Sequence, residues 1–171
     1  MKTPLVTTTI GAFPKPSYVP VQDWFDLARE TGGMNTAATT RQYSKDVEKN
    51  KTAHERLFIR AAKEVLKIQI QAGISIPTDG EVRRENYIHY HCRHLGGFDF
   101  DTLKRRVLRD GAYETDLPAI RSEVLHSGRS YSSHDYLASQ DVSTRPVKFT
   151  LPGPLTVMDT TADCFYGDRP K

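Results

Sequence analysis

The chain has 171 residues, 37% of them hydrophobic and 26% charged, enough for one ordinary domain with a core of its own. Its 24 basic and 21 acidic residues are mixed along the chain, and no run approaches the ~18 apolar residues that span a bilayer, so no membrane partner is expected. The densest basic stretch, Lys104-Arg105-Arg106 with Arg109, is short and lacks interleaved aromatics; it reads as a solvated face, and no nucleic-acid partner is expected.

The N-terminus, Met1-Lys2-Thr3-Pro4, carries no secretory apolar stretch, so a cytoplasmic location is the default. Two cysteines far apart, Cys92 and Cys164, read as free thiols in that setting. Thr7-Thr8-Thr9-Ile10-Gly11-Ala12-Phe13-Pro14 reads as a buried strand that stops in a tight loop. β-Branched threonines favour an extended backbone, Gly11 opens angles closed to other residues, and Pro14 forbids a central strand from continuing. Such a strand end is where α/β enzymes place ligands, although a plain strand-to-loop junction has the same residues.

Val21 to Glu30 reads as a short helix with Trp24, Phe25, Leu27 and Ala28 on its apolar side, ended by Thr31-Gly32-Gly33. Met34 to Thr40, polar and small, reads as a surface loop. Tyr43 to Ala72 carries the clearest helical period, through Leu57, Ala61, Ala62, Val65, Ile68 and Ala72, with Gly73 past its end. Ile74 to Thr78 is a short strand emerging at Asp79-Gly80-Glu81; strand, long helix, strand is the pattern of a parallel crossover. Glu85 to Leu95 reads as a helix broken by Gly96-Gly97, and residues 98–126 as an extended or hairpin insertion. Ser132 to Gln140 reads as a helix capped by Ser132 or Ser133, Val147 to Leu151 as a strand closed by Pro152-Gly153-Pro154, and the last dozen residues as loop.

Three strands therefore end in turns, at Gly11-Ala12, at Asp79-Gly80-Glu81 and at Pro152-Gly153-Pro154, which in a parallel barrel share one rim. His89-Tyr90-His91-Cys92-Arg93-His94 looks metal-like, since Glu85, His89 and Cys92 would share a helical face. A zinc site needs a convergent ligand set, so a structural or solvated histidine cluster is the better account.

Together these blocks resemble the catalytic barrel of the cobalamin-independent methionine synthase family. Thr7 to Pro14 match its Thr-Thr-Thr-Ile-Gly-Ser-Phe-Pro segment, and Gly80, Glu81 and Arg84 its Gly-Glu-x-x-Arg segment. Gly97-Phe98 match a Gly-Phe pair, and Lys148, Leu151, Gly153, Pro154 and Thr156 a Lys-x-x-Leu-x-Gly-Pro-x-Thr block. The fold this implies is α/β, the N-terminal portion of a (β/α)8 barrel spanning residues 1–171. A closed barrel takes roughly 250 residues, so the barrel is expected to be incomplete in this chain.

The activity implied is methyl transfer to the zinc-activated thiol of homocysteine, giving methionine. The resemblance assigns Ile10, Gly11 and Ala12 to the amino-acid part of homocysteine and Glu81 to its ammonium. Glu81 could equally form an ion pair with Arg83 or Arg84. Ala12 stands where the family has serine. The family's folate-contacting Arg-Cys pair falls near Glu114-Thr115 and its stacking tryptophan near Thr160, so the methyl donor stays open between folate and corrinoid. The zinc ligands are expected in the other half of the barrel, with no catalytic residue in this chain and a complementing C-terminal half as a conceivable partner. Alkyl transfer to another thiol such as coenzyme M, a uroporphyrinogen decarboxylase-like barrel, and an inactive half barrel are the alternatives.

Overall fold

A computed structural model describes residues 5–23, 36–48, 51–108, 111–128 and 130–167. Of the helix expected from Val21 to Glu30, residues 24–30 lie outside them, and Val21, Gln22 and Asp23 are not helical. The described elements are α1 (Thr36–Glu48), α2 (Lys51–Gln71), α3 (His89–Cys92), β1 (Leu95–Leu108), β2 (Tyr113–His126), α4 (Tyr131–Gln140), α5 (Pro154–Asp159) and β3 (Ala162–Asp163). This is a mixed α/β chain in which two compact units interleave along the sequence. No described helix is long and apolar enough to cross a membrane.

The first unit comprises residues 1–21, 47–84 and 130–150. Its centre is α2, where Phe58, Ala61, Ala62, Val65 and Leu66 form the buried stripe that the 3.6-residue period requires. The stripe departs from expectation: Ile68 is 57% exposed and Gln69 only 2%, Phe58 is buried in place of half-buried Leu57, and Ala72 is exposed past the helix end. Gln69 is drawn inward because its amide pairs with the backbone of the segment after the helix. Thr78 N–H donates to Oε1 at 3.0 Å, and Nε2 donates to the Thr78 carbonyl at 2.8 Å.

Around α2 the expected strands are reduced to single parallel bridges, Thr8 with Ile76 and Thr78 with Lys148. The opening segment is not buried. Thr7 and Thr8 are exposed and Ile10 is 88% exposed, because among the described residues this segment pairs along one side only. The helix expected from Tyr43 to Ala72 is divided between α1 and α2, with residues 49 and 50 outside the description. α1 also takes in Thr36 to Thr40, read above as loop.

One buried arginine ties α2 to α4 through two acids, half-buried Glu55 and buried Asp135. Arg83 forks onto Glu55 with distances of 2.6 and 2.7 Å and lies 3.8 Å from Asp135. α4 begins one residue earlier than the sequence suggested, with Ser130 in the cap position and no side-chain capping bond. The expected caps Ser132 and Ser133 lie inside the helix; Ser130 instead donates to the Ser133 hydroxyl at 2.7 Å.

The second unit comprises residues 22–46, 85–129 and 151–171. β1 and β2 form an antiparallel pair, and β3 adds to β2 in parallel through Ala119 with Ala162 and Ile120 with Asp163. Leu117, Ala119 and Ala162 make its buried cluster, with Leu108 packed against them. The register shifts between Gly96 and Phe98, and Gly97 at φ +92° has no room for a side chain: a Cβ would lie 2.6 Å from the Glu123 carbonyl oxygen. α5 and β3 occupy part of a stretch whose end was read as loop. The helix expected over Glu85 to Leu95 shrinks to the single turn of α3. Asn86 Oδ1 accepts from the Ile88 and His89 amides, at 2.8 and 3.1 Å, and this local bonding displaces the helix start.

Candidate functional site

The first unit brings the Gly11 loop against the Asp79-Gly80-Glu81 turn. The Phe13 amide donates to the Gly80 carbonyl at 3.0 Å. Gly80 sits at φ +67°, and a Cβ there would come within 2.6 Å of Val65 Cγ1 and 3.1 Å of Phe13 Cβ. Only glycine fits between the helix and the loop. Gly11 is needed for a different reason, its φ of +88°, since a Cβ would meet nothing within 4 Å. Ile10 points outward and Ala12 is half-buried. The N–H groups of Ile10, Gly11 and Ala12 make no hydrogen bond among the described residues.

Glu81 is the one described non-glycine residue with a left-handed backbone, φ +57°. Such a conformation costs roughly 1–2 kcal/mol for a residue with a Cβ. The Asp79 carboxylate helps hold it, accepting the Glu81 amide at 3.0 Å, while Thr78 Oγ1 accepts the Gly80 amide at 3.3 Å. Glu81 is 6% exposed and its Oε1 accepts from the Thr150 hydroxyl at 3.1 Å. Thr150 in turn accepts from Arg84 Nη1 at 2.9 Å, and Arg84 lies over the Phe149 ring at 4.7 Å. Arg84 Nη1 stands 3.6 Å from Glu81 Oε1, so the pairing with Arg84 is loose and passes through a hydroxyl. Arg83 is engaged elsewhere, on Glu55.

Two further residues frame this corner. Lys148 Nζ donates to the Thr9 carbonyl at 2.7 Å, and the Thr9 hydroxyl donates to Gln69 Oε1 at 2.6 Å. The sequence placed Ile10, Gly11, Ala12 and Glu81 at one site, and the structure puts their two turns in contact. Sequence reading assigned no role to Thr150 or Gln69. Nothing in their spacing announced them, because each is recruited by a backbone or side chain remote in sequence. Gly153 belongs to the second unit, where it caps α5 in extended conformation.

The metal-like stretch lies in the second unit. Arg93 is clamped there, donating to Glu85 Oε1 and to the Thr40 carbonyl, each at 2.6 Å, with the Tyr43 and Phe100 rings on it at 4.7 and 4.2 Å. Burial pushes the Cys92 thiol up to about 12, and burial lowers His89 to about 4, with its Nε2 3.4 Å from the Thr160 carbonyl. Burial also pushes the Glu85 carboxyl up, against the pull of Arg93. Among the described residues no three His, Cys, Asp or Glu side chains group to hold a metal ion. These residues do not fit zinc.

Residues 5–163 match the family described as cobalamin-independent synthase, catalytic domain. The chain is 27% identical over 162 residues to a methionine synthase of Sulfolobus acidocaldarius, covering 95% of this chain and 42% of that protein. It is 26% identical over 169 residues to a methionine synthase of Saccharolobus islandicus, covering 98% and 45%. Its fold superposes with a TM-score of 0.70, at 26% identity, on a B12-independent methionine synthase from Shewanella sp. W3-18-1 in complex with selenomethionine, covering 95% of this chain and 42% of that one. The chain thus spans less than half the length of the relatives it matches. It belongs to the cobalamin-independent methionine synthase family, within the catalytic domain.

Proposed function

We propose that this chain carries the homocysteine-binding part of a methyltransferase that methylates the homocysteine thiol to give methionine, in the cytoplasm. The observation that carries the reading is the Asp79-Gly80-Glu81 turn, which sets a buried carboxylate at a strained position beside the Gly11 loop. Strained backbone gathers at ligand sites, where the surrounding structure holds it in place.

In this reading Glu81 Oε2, which carries no hydrogen bond among the described residues, accepts the substrate ammonium. The N–H groups of Ile10, Gly11 and Ala12 receive the substrate carboxylate, and loss of the family's serine hydroxyl at Ala12 leaves that task to the backbone. The two parallel bridges support the N-terminal portion of a (β/α)8 barrel, with residues 98–126 as a hairpin insertion and a complementing half supplying the rest. Zinc activation of the thiol lies outside what these residues do; the reading places the metal's ligands elsewhere in the full-length protein. The methyl donor, folate or corrinoid, is likewise bound elsewhere.

Calorimetric titration of the intact protein with L-homocysteine tests this directly. Glu81→Gln keeps the shape and the acceptor for Thr150 but removes the charge, and should weaken binding at least about tenfold, the usual worth of a charge-assisted bond. Undiminished binding by that variant would remove Glu81 from the site.

A further inference from the structure

The Arg84–Thr150–Glu81 arrangement has an unusual order. Guanidinium and carboxylate are both buried, with side chains 1% and 7% exposed, yet the ion pair is open at 3.6 Å. A closed pair of this kind sits at about 2.7–2.9 Å and commonly engages both carboxylate oxygens. Here a hydroxyl sits beside the pair, bonded to both partners, and takes the guanidinium N–H that a closed pair would give to the carboxylate. Arginine can only donate, so Thr150 Oγ1 accepts from Arg84 at 2.9 Å and gives its own proton to Glu81 Oε1 at 3.1 Å. The direction of both bonds is fixed by this chemistry. The Phe149 ring, 4.7 Å from the guanidinium carbon, gives Arg84 a second favourable contact.

We propose that Thr150 is a positioning residue, a spacer whose hydroxyl keeps Arg84 from closing on Glu81 and so leaves one carboxylate oxygen for a ligand ammonium. The proposal rests on the assignment of Glu81 made above. A guanidinium forked onto both oxygens would cancel the charge an incoming ammonium needs. The hydroxyl relays Arg84's attraction to one oxygen only, steadying the carboxylate without consuming it. Because the Glu81 backbone is fixed at φ +57°, the side chain cannot regain distance from Arg84 by moving its main chain.

The test compares L-homocysteine with 4-mercaptobutanoic acid, which differs only by lacking the amino group, in calorimetric titrations of the intact protein. Wild type should favour homocysteine. Thr150→Val, nearly the same shape without the hydroxyl, should weaken homocysteine binding about tenfold and leave the des-amino compound unchanged, while Thr150→Ser restores the preference to within about twofold. A packing defect would weaken both ligands together and would not respond to serine. If Thr150→Val does not fold by circular dichroism, Thr150→Ala, which removes the hydroxyl without a branched side chain, should give the same split. If wild type binds both compounds equally, the assignment of Glu81 fails and the spacer with it. If wild type discriminates and the hydroxyl-free variants discriminate equally well, the spacer role is overturned while Glu81 stands.

Discussion

Gln69 offers the sharpest stability test, because one buried amide satisfies both backbone groups of Thr78 and also accepts from Thr9. Gln69→Leu preserves volume on α2 but strips the Thr78 N–H and C=O of their partners in a position only 1% exposed. Each buried backbone group left unpaired costs about 1–3 kcal/mol, partly offset by about 1–2 kcal/mol from burying the leucine. The Thr9 hydroxyl, half-buried, can turn to water. At mid-range the two groups cost about 4 kcal/mol and the leucine returns about 1.5, a net loss of about 2.5 kcal/mol, a large share of the ~5–15 kcal/mol that holds a domain of this size together. Urea unfolding followed by circular dichroism should show the midpoint falling by about 1–2 M at unchanged slope, given slopes of roughly 1–3 kcal/mol/M. Gln69→Glu should also destabilise at neutral pH, since a carboxylate oxygen would face the Thr78 carbonyl, and should recover in part when acid protonates it. A midpoint within about 0.3 M of wild type for Gln69→Leu would show that the paired amide does not hold this corner.

Gly80→Ala should cost about 1–3 kcal/mol in urea unfolding, from the clash with Val65 and the left-handed backbone, and Val65→Ala in the same chain should give part of that back. His89, lowered from 6.5 to about 4 by burial, stays neutral in the folded chain while the unfolded chain takes up a proton. Stability should therefore fall by about 3 kcal/mol as pH drops from 6.5 toward 4, the 2.5-unit shift at 1.36 kcal/mol each. Glu85, pushed up by burial, acts in the opposite sense: its share is present in acid and lost as pH rises past its ordinary value. The His89 share is thus read as the difference from His89→Gln, whose curve should be flatter below pH 6.5; superimposable curves would refute it. With iodoacetamide at pH about 8, exposed Cys164 should be labelled in the folded chain and buried Cys92 only on unfolding; labelling of both at once would contradict the raised Cys92 thiol.

The local code was legible where the chain speaks for itself. Ala61, Ala62 and Val65 of the α2 stripe, the Gly80 turn and its neighbour Glu81 follow from periodicity and from glycine's freedom, and are where those rules put them. What failed was everything decided by a remote partner. Ile68 and Gln69 exchanged places because hydropathy weighs transfer from water and not the backbone of Thr78 waiting nine residues on. The helix through Glu85 is the exception, overridden locally by one asparagine side chain that takes the Ile88 and His89 amides. Burial of the opening strand was inferred from its own β-branched residues, although burial is a property of what lies beside a strand. Thr150 was invisible for the same reason: a threonine in a strand-like run has no local mark that it faces a carboxylate 69 residues earlier.

On the proposed reading, the corner around Glu81 separates structural and functional demands on one charge. Arg84 is too deeply buried to stand without a counter-charge, and removing the partner of such a group typically costs 3–5 kcal/mol. In the proposed reading a ligand ammonium makes the same demand on the same carboxylate. If the two cations met it directly they would compete, and the permanent one would win, since its position costs no binding entropy. In that reading the bridging hydroxyl resolves the conflict by dividing the carboxylate: Oε1 answers Arg84 through Thr150, and Oε2 remains. The strained backbone then has a physical purpose, since it points the carboxylate into this divided arrangement where a relaxed extended residue would direct its side chain elsewhere.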